Sequence, residues 1–188
     1  MFRRRSFLKS SSLIAGGLIL PKLSFKSKKL NQKKLKIAVV GCGGRGTGAA
    51  VQALRADNNV ELVTLADAFK DRLEGSLNAI KDEFEGEMEI NIKEKNKFVG
   101  FDAYKKAIDK SDVVILASPP GFRPAHFEYA IDKNKHVFME KPVATDAHGV
   151  RQVLNSARKA KEKNLNVVVG LQRRYQKSYL SAKKQIDR

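Results

Sequence analysis

Glu140-Lys141-Pro142 closes a short apolar run, His136-Val137-Phe138-Met139. A lysine at the carboxyl end of a buried strand stands on the edge where open α/β sheets bind ligands. A surface Glu–Lys pair is the ordinary reading of such residues, and the strand-end location reverses it. A second group lies far upstream, in Gly41-Cys42-Gly43-Gly44-Arg45-Gly46. Gly41, Gly43 and Gly46 fit G-x-G-x-x-G after an apolar strand. Gly41 permits the tight turn, Gly43 lets the backbone approach a pyrophosphate, and Gly46 lets the next helix pack against the strand. Gly44 and Arg45 complete the loop. Phosphates would rest on a helix N-terminus, where free N–H groups and the dipole favour anions. The third element is Asp67, 21 residues past Gly46. Its carboxylate can accept hydrogen bonds from the adenosine ribose and would repel a 2′-phosphate, which favours NAD over NADP. Arg45 pulls the other way, because an arginine nearby can hold a phosphate.

With a nicotinamide ring over the sheet edge, Lys141 would point into the site. A partly desolvated lysine beside the positive ring has its charged form disfavoured. It can then polarise a substrate hydroxyl or carbonyl during hydride transfer. Glu140 can hydrogen-bond the ribose or hold the lysine, and Pro142 fixes the turn, with a cis bond before it open. Ser118-Pro119-Pro120 ends another apolar strand. It either passes under the nicotinamide ribose or only stops the strand. His126 suits a cap or packing residue better than a catalyst. Cys42 is the single cysteine. That excludes an intramolecular disulfide and a CxxC metal cluster, and Cys42 reads as a small residue packed under the turn. No metal site is expected.

These residues need a scaffold, and the pattern supplies one. Strands are expected at 35–40, 60–66, 98–101, 113–117, 136–139 and 167–170, with a weak one near 90–92. Helices are expected at 47–57, 70–84, 103–110, 124–134, from Thr145 or Asp146 to 163, and at 178–187. Val150, Val153, Leu154, Ala157 and Ala160 form one apolar stripe on the long helix. Strands apolar on both faces, alternating with helices, mean a parallel sheet covered on both sides. Right-handed crossovers make it a Rossmann-like doubly wound α/β fold.

The formal charge of +17 suggests nucleic acid until it is located. Residues 1–36 hold eleven Lys/Arg and no acid, residues 37–150 fifteen basic and eighteen acidic, and residues 151–188 eleven basic and two acidic. The basic charge therefore sits at the two ends, and the stretch with the motifs provides no nucleic-acid footprint. Arg4-Arg5-Ser6-Phe7-Leu8-Lys9 resembles the bacterial twin-arginine signal. The apolar stretch 13–20 is too short for a bilayer, which needs about 20 residues, and suits a signal peptide. Residues 1–34 are thus expected to be an export signal and basic linker, which places the protein in the periplasm or anchored facing it.

The order G-x-G-x-x-G, acid after strand two, S-P-P with a downstream histidine, E-K-P, then Gly170-Leu171-Gln172-Arg173-Arg174-Tyr175 resembles the Gfo/Idh/MocA oxidoreductases from about residue 35 to 188. The resemblance implies NAD(P) on the glycine loop, Lys141 in the catalytic site, His126 and, at a hinge, Arg174 among the cofactor-binding residues, and a sugar or cyclitol substrate. It also implies a second α/β domain with an aspartate–histidine pair, most of the substrate pocket and a homo-oligomer interface. On that pattern, residues 35–171 are the nucleotide domain and 172–188 only the start of the second. Some members of the family are NAD-using glycosidases. A non-catalytic nucleotide-binding module is the other expectation for a chain of this length.

Overall fold

A computed structural model describes residues 33–187. The segment that resembles an export signal lies outside these residues. Six strands alternate with helices: β1 (Leu35–Val40), α1 (Gly44–Ala56), β2 (Val60–Asp67), α2 (Lys70–Glu83), β3 (Lys97–Val99), α3 (Ala103–Asp109), β4 (Val113–Leu116), α4 (Arg123–Asp132), β5 (His136–Met139), α5 (Ala147–Glu162), β6 (Val167–Val169) and α6 (Lys177–Ile186). All six strands pair in parallel, in the order β3-β2-β1-β4-β5-β6. This is the doubly wound order, with the reversal between β1 and β4.

One apolar layer lies under α1 and α2 and includes Ile37, Val39, Leu65, Leu73 and Leu77. The other lies under α3, α4 and α5 and includes Ala38, Val114, Leu116, Phe127 and Val137. Alternate residues of β1 thus feed opposite layers, which is why the strand reads as continuously apolar.

Two helices stop with the same device. Asn134 and Asn164 adopt φ of 58° and 55°. Behind them Lys135 N–H donates to Ala130 O and Leu165 N–H to Ala160 O, both at 2.9 Å. These are Schellman closures. They turn α4 into β5 and α5 into β6 within a few residues, so both strands end at the same sheet edge.

The structure departs from the sequence expectations in four places. α1 begins at Gly44, so the last glycines of the loop are already helical. Residues 90–92 form no strand; Ile90 and Ile92 are buried in the first layer without pairing. β3 ends at Val99, because Gly100 turns away at φ 115°. On α5 the buried row is Gly149, Val153, Ser156 and Ala160, while Val150 and Leu154 are exposed. Small residues in that row let α5 approach α4, where Gln152 donates to Glu128 at 2.7 Å. Asp146, rather than Thr145, caps α5 through Gly149 N–H at 2.7 Å. β6 lies at the sheet's edge and is only half-buried. Among the described residues no helix is long and apolar enough to cross a membrane.

Candidate dinucleotide-binding cleft

A cleft of about 660 Å³ opens at the carboxyl ends of the strands. Gly41, Gly43, Arg45, Asp67, Ser118, Pro119, Pro120, His126, Glu140 and Lys141 all line it. Residues up to 100 positions apart thus meet at one edge, on both sides of the topological switch point.

The glycine loop is built for close approach. Gly41 has φ of +96°, and an added Cβ would collide with the amide of Ser118. A Cβ on Gly46 would land on the Gly41 carbonyl. These two glycines are required by the protein's own packing. Gly43 differs: a Cβ there would meet nothing within 4 Å. Its backbone lines the cleft, so the missing side chain leaves room for a ligand. Behind it α1 has no side-chain cap and no acid in its first turn. Its first N–H groups lack intrahelical partners. Bare backbone, a helix N-terminus and an open cradle fit a pyrophosphate.

Asp67 stands at the end of β2. Its Oδ2 accepts from Cys42 N–H at 2.6 Å and its Oδ1 from Phe69 N–H at 2.9 Å. The carboxylate therefore braces the loop, and each oxygen keeps lone pairs for a ribose hydroxyl. Cys42 is packed beneath, with burial and the neighbouring Asp67 pushing its thiol up to about 12. It is inert at neutral pH, as its place in the turn suggests.

On the other side of the switch point the partners differ from expectation. The Glu140 carboxylate does not hold Lys141. Arg45 Nε donates to Glu140 Oε1 at 2.7 Å, and its Nη2 lies 2.7 Å from the same oxygen. The pair reaches from the β1 loop to β5, away from Asp67, so Arg45 is not placed to hold a phosphate on the adenosine ribose. Gly170 makes room for the buried carboxylate: a Cβ there would stand 2.9 Å from Glu140 Oε2. Lys141 is exposed at the cleft, and the Lys141–Pro142 bond is cis.

Arg174 is not brought to the cleft. It is exposed in a short turn after β6.

His126 is buried in the cleft wall. Its Nδ1 shares a 3.0 Å hydrogen bond with Ser118 Oγ, and its ring stacks on Tyr104 at 4.1 Å. Burial, then the nearby Arg123 cation, push the imidazole down to about 4. An unfolded histidine titrates near 6.5, so the neutral form stabilises the fold above about pH 6.5. That contribution drains away as pH falls from about 6.5 to about 4, on the order of 3 kcal/mol in all. The melting temperature of the parent is expected to fall more steeply between pH 7 and 4.5 than that of His126→Gln. Parallel falls would remove this role.

Sequence reasoning missed Arg123, Phe69, Phe101 and Phe122. All four line the cleft. Phe69 and Phe101 are 61% and 71% exposed, and Phe101 lies 6.0 Å from Phe122. They offer flat apolar surface to a base or ring. A signal was present for two of them: Phe69 and Phe101 each stand two residues past a strand end, where the core needs no apolar side chain.

The family model described as "Oxidoreductase family, NAD-binding Rossmann fold" (Gfo/Idh/MocA) matches residues 35–170. An inositol 2-dehydrogenase of Cereibacter sphaeroides is 28% identical over 152 residues, covering 81% of this chain and 41% of the relative. An inositol 2-dehydrogenase/D-chiro-inositol 3-dehydrogenase of Halalkalibacterium halodurans is 41% identical over 81 residues, covering 43% of this chain and 23% of the relative. Among solved structures, a myo-inositol 2-dehydrogenase of Lactobacillus plantarum matches with a TM-score of 0.63 at 28% identity, covering 82% of this chain and 41% of that one. A scyllo-inositol dehydrogenase of Lactobacillus casei, solved with bound NAD(H) and scyllo-inositol, shares the fold with a TM-score of 0.64 at 24% identity, covering 82% and 41%. The chain thus spans at most about two-fifths of the length of these relatives.

Proposed function

Because the chain belongs to the Gfo/Idh/MocA oxidoreductases, as its match over residues 35–170 shows, we propose that it forms the NAD-binding part of an exported dehydrogenase that oxidises a cyclitol or sugar. The observation that carries this reading is the meeting of Gly43, Asp67 and Lys141 in one cleft. The inositol dehydrogenases among its relatives favour a cyclitol.

In this reading Gly43 and the first turn of α1 seat the pyrophosphate, while Asp67 receives the adenosine ribose. Its negative charge selects NAD over NADP. Ser118, Pro119 and Pro120 floor the nicotinamide half. NAD, when bound, supplies the hydride acceptor. Lys141 holds the substrate hydroxyl and draws off its proton as the carbinol is oxidised. Substrate placement and self-association would fall to a second α/β domain of the kind the family resemblance implies. Residues 1–34 act as a twin-arginine signal, supported by Arg4-Arg5-Ser6-Phe7-Leu8-Lys9.

The reading is tested with NAD, NADP and a panel of inositols, sugars and glycosides. NADH accumulating with a free cyclitol or sugar is expected. Glycoside cleavage without net NADH would point instead to the NAD-assisted glycosidase, and NAD binding without turnover of any of these to a non-catalytic module. Calorimetry of Asp67→Ala should show NAD weakened more than NADP; equal changes would remove its role. Cell fractionation should find the protein outside the cytoplasm, and the variant with Arg4 and Arg5 both replaced by Lys retained inside it. Export of the double variant would refute the signal.

A further inference from the structure

Arg123 opens α4 and is only 3% exposed. Among the described residues it has no carboxylate within ion-pairing distance. Its guanidinium instead gathers backbone carbonyls. Nη1 donates to Glu140 O at 2.7 Å and also to Pro142 O, and Nη2 donates to Ser118 O. Its Nε–H is buried without a partner.

The three acceptors share a predicament. They lie at the ends of β4 and β5, among Pro119, Pro120 and Pro142, which have no N–H to offer. The carbonyls of Glu140 and Ser118 are buried, and buried carbonyls left alone are costly. A buried cation without a carboxylate is itself expensive. The visible result of keeping it is that the turn carrying Lys141 is held at the Glu140 and Pro142 carbonyls and tied to the segment after β4 that lines the cleft. A planar fork with five donors suits this task, since it can serve several acceptors in fixed directions.

We propose that Arg123 is a positioning residue that presents Lys141 to the nicotinamide half of the cleft by locking the Glu140–Pro142 turn to Ser118. Its terminal donors are spent on backbone carbonyls, so it acts through Lys141. The proposal rests on the assignment of Lys141 made above.

Two measurements on Arg123→Met and Arg123→Lys test it. Hydrogen exchange read by mass spectrometry should show protection lost in residues 117–121 and 139–144 of the Met variant, with β1 and β2 still protected. The Lys variant, which keeps the charge but not the fork, should recover part of it. Because the Ser118–Pro120 floor of the nicotinamide half is released together with the turn, the Met variant should bind NAD about tenfold more weakly in calorimetry, a loss the size of one strong hydrogen bond that Lys141→Ala, which leaves the floor in place, does not share; ADP-ribose should bind within about twofold of the parent. ADP-ribose lacks the nicotinamide, so a merely structural lesion would weaken both ligands alike. Equal losses, no loss in either ligand, or protection unchanged in both segments would each overturn the proposal. Should the Met variant fail to fold, the Lys variant carries the same two readouts at smaller amplitude. Failure of the parent to bind either ligand would sink the nucleotide reading, and the exchange result would then decide the positioning role by itself.

Discussion

Lys141→Ala is expected to lower hydride transfer by about 10²–10⁴-fold while leaving the Kd for NAD within about twofold. The range is the usual contribution of a positioned acid–base group. The split follows from where the residue sits. On the proposed reading the phosphate and adenosine contacts come from the β1 and β2 loops, while Lys141 follows β5 on the other side of the switch point. Its side chain is exposed and makes no ion pair among the described residues, so its removal leaves no buried group stranded. The change in kcat should dominate the change in the KM for NAD, as expected for an interaction made in the transition state. Stopped-flow absorbance of NADH would measure it. Turnover equal to that of the parent would refute the assignment.

Gly46→Ala and Gly43→Ala should behave as opposites, although they lie three residues apart. Alanine at position 46 gains helix propensity, about 1 kcal/mol at most. Against that stands a Cβ forced onto the Gly41 carbonyl, with the Ala117 methyl next to it. Backbone cannot swing aside as a side chain can, so the collision wins. The loop must part from β1 and β4, and a net loss of about 3 kcal/mol or more is expected. That corresponds to a fall in melting temperature of about 10 °C for a chain of this size. Gly43 already has an ordinary φ of −74°. Alanine there should leave the melting temperature unchanged and weaken NAD, because the methyl group would project into the cleft. Calorimetric melting and NAD titration of both variants separate the two roles. A stable Gly46→Ala, or a Gly43→Ala with the parent's NAD affinity, would contradict the account of the loop.

Much of this arrangement is legible in the order of residues alone. The strands are readable because a doubly wound sheet buries both faces of its inner strands, so β1, β4 and β5 appear as unbroken apolar runs. The glycine loop is readable because its spacing has a steric reason at Gly41 and Gly46. What escapes such a reading depends on three-dimensional partnership. Nothing in the sequence says that Glu140 pairs with Arg45, 95 residues away. Arg123 looks like one more surface charge at a helix start, since the carbonyls it serves come from two other segments. Ile90 and Ile92 resemble a strand because burial alone, without pairing, leaves the same apolar mark. The outward turn of Val150 and Leu154 is hidden because small residues can bring a helix in as effectively as large ones. The rarity of lone catalytic histidines suggests a packing role for His126, while its value as a buried neutral ring emerges only from its packing.

The backbone closures at Asn134 and Asn164 have a consequence for what changes this chain can absorb. Only residues 133–135 separate α4 from β5, and they are committed to the closing hydrogen bonds. There is no slack between the helix and the strand that delivers Lys141. One residue more or fewer would move β5 by a single pleat and exchange its two faces. Val137 and Met139 would leave the layer they fill, Phe138 would enter it, and Lys141 would arrive one position out of place. Here the count of residues is as much a part of the site as their identity: substitutions along residues 133–135 can be absorbed more readily than a change in their number.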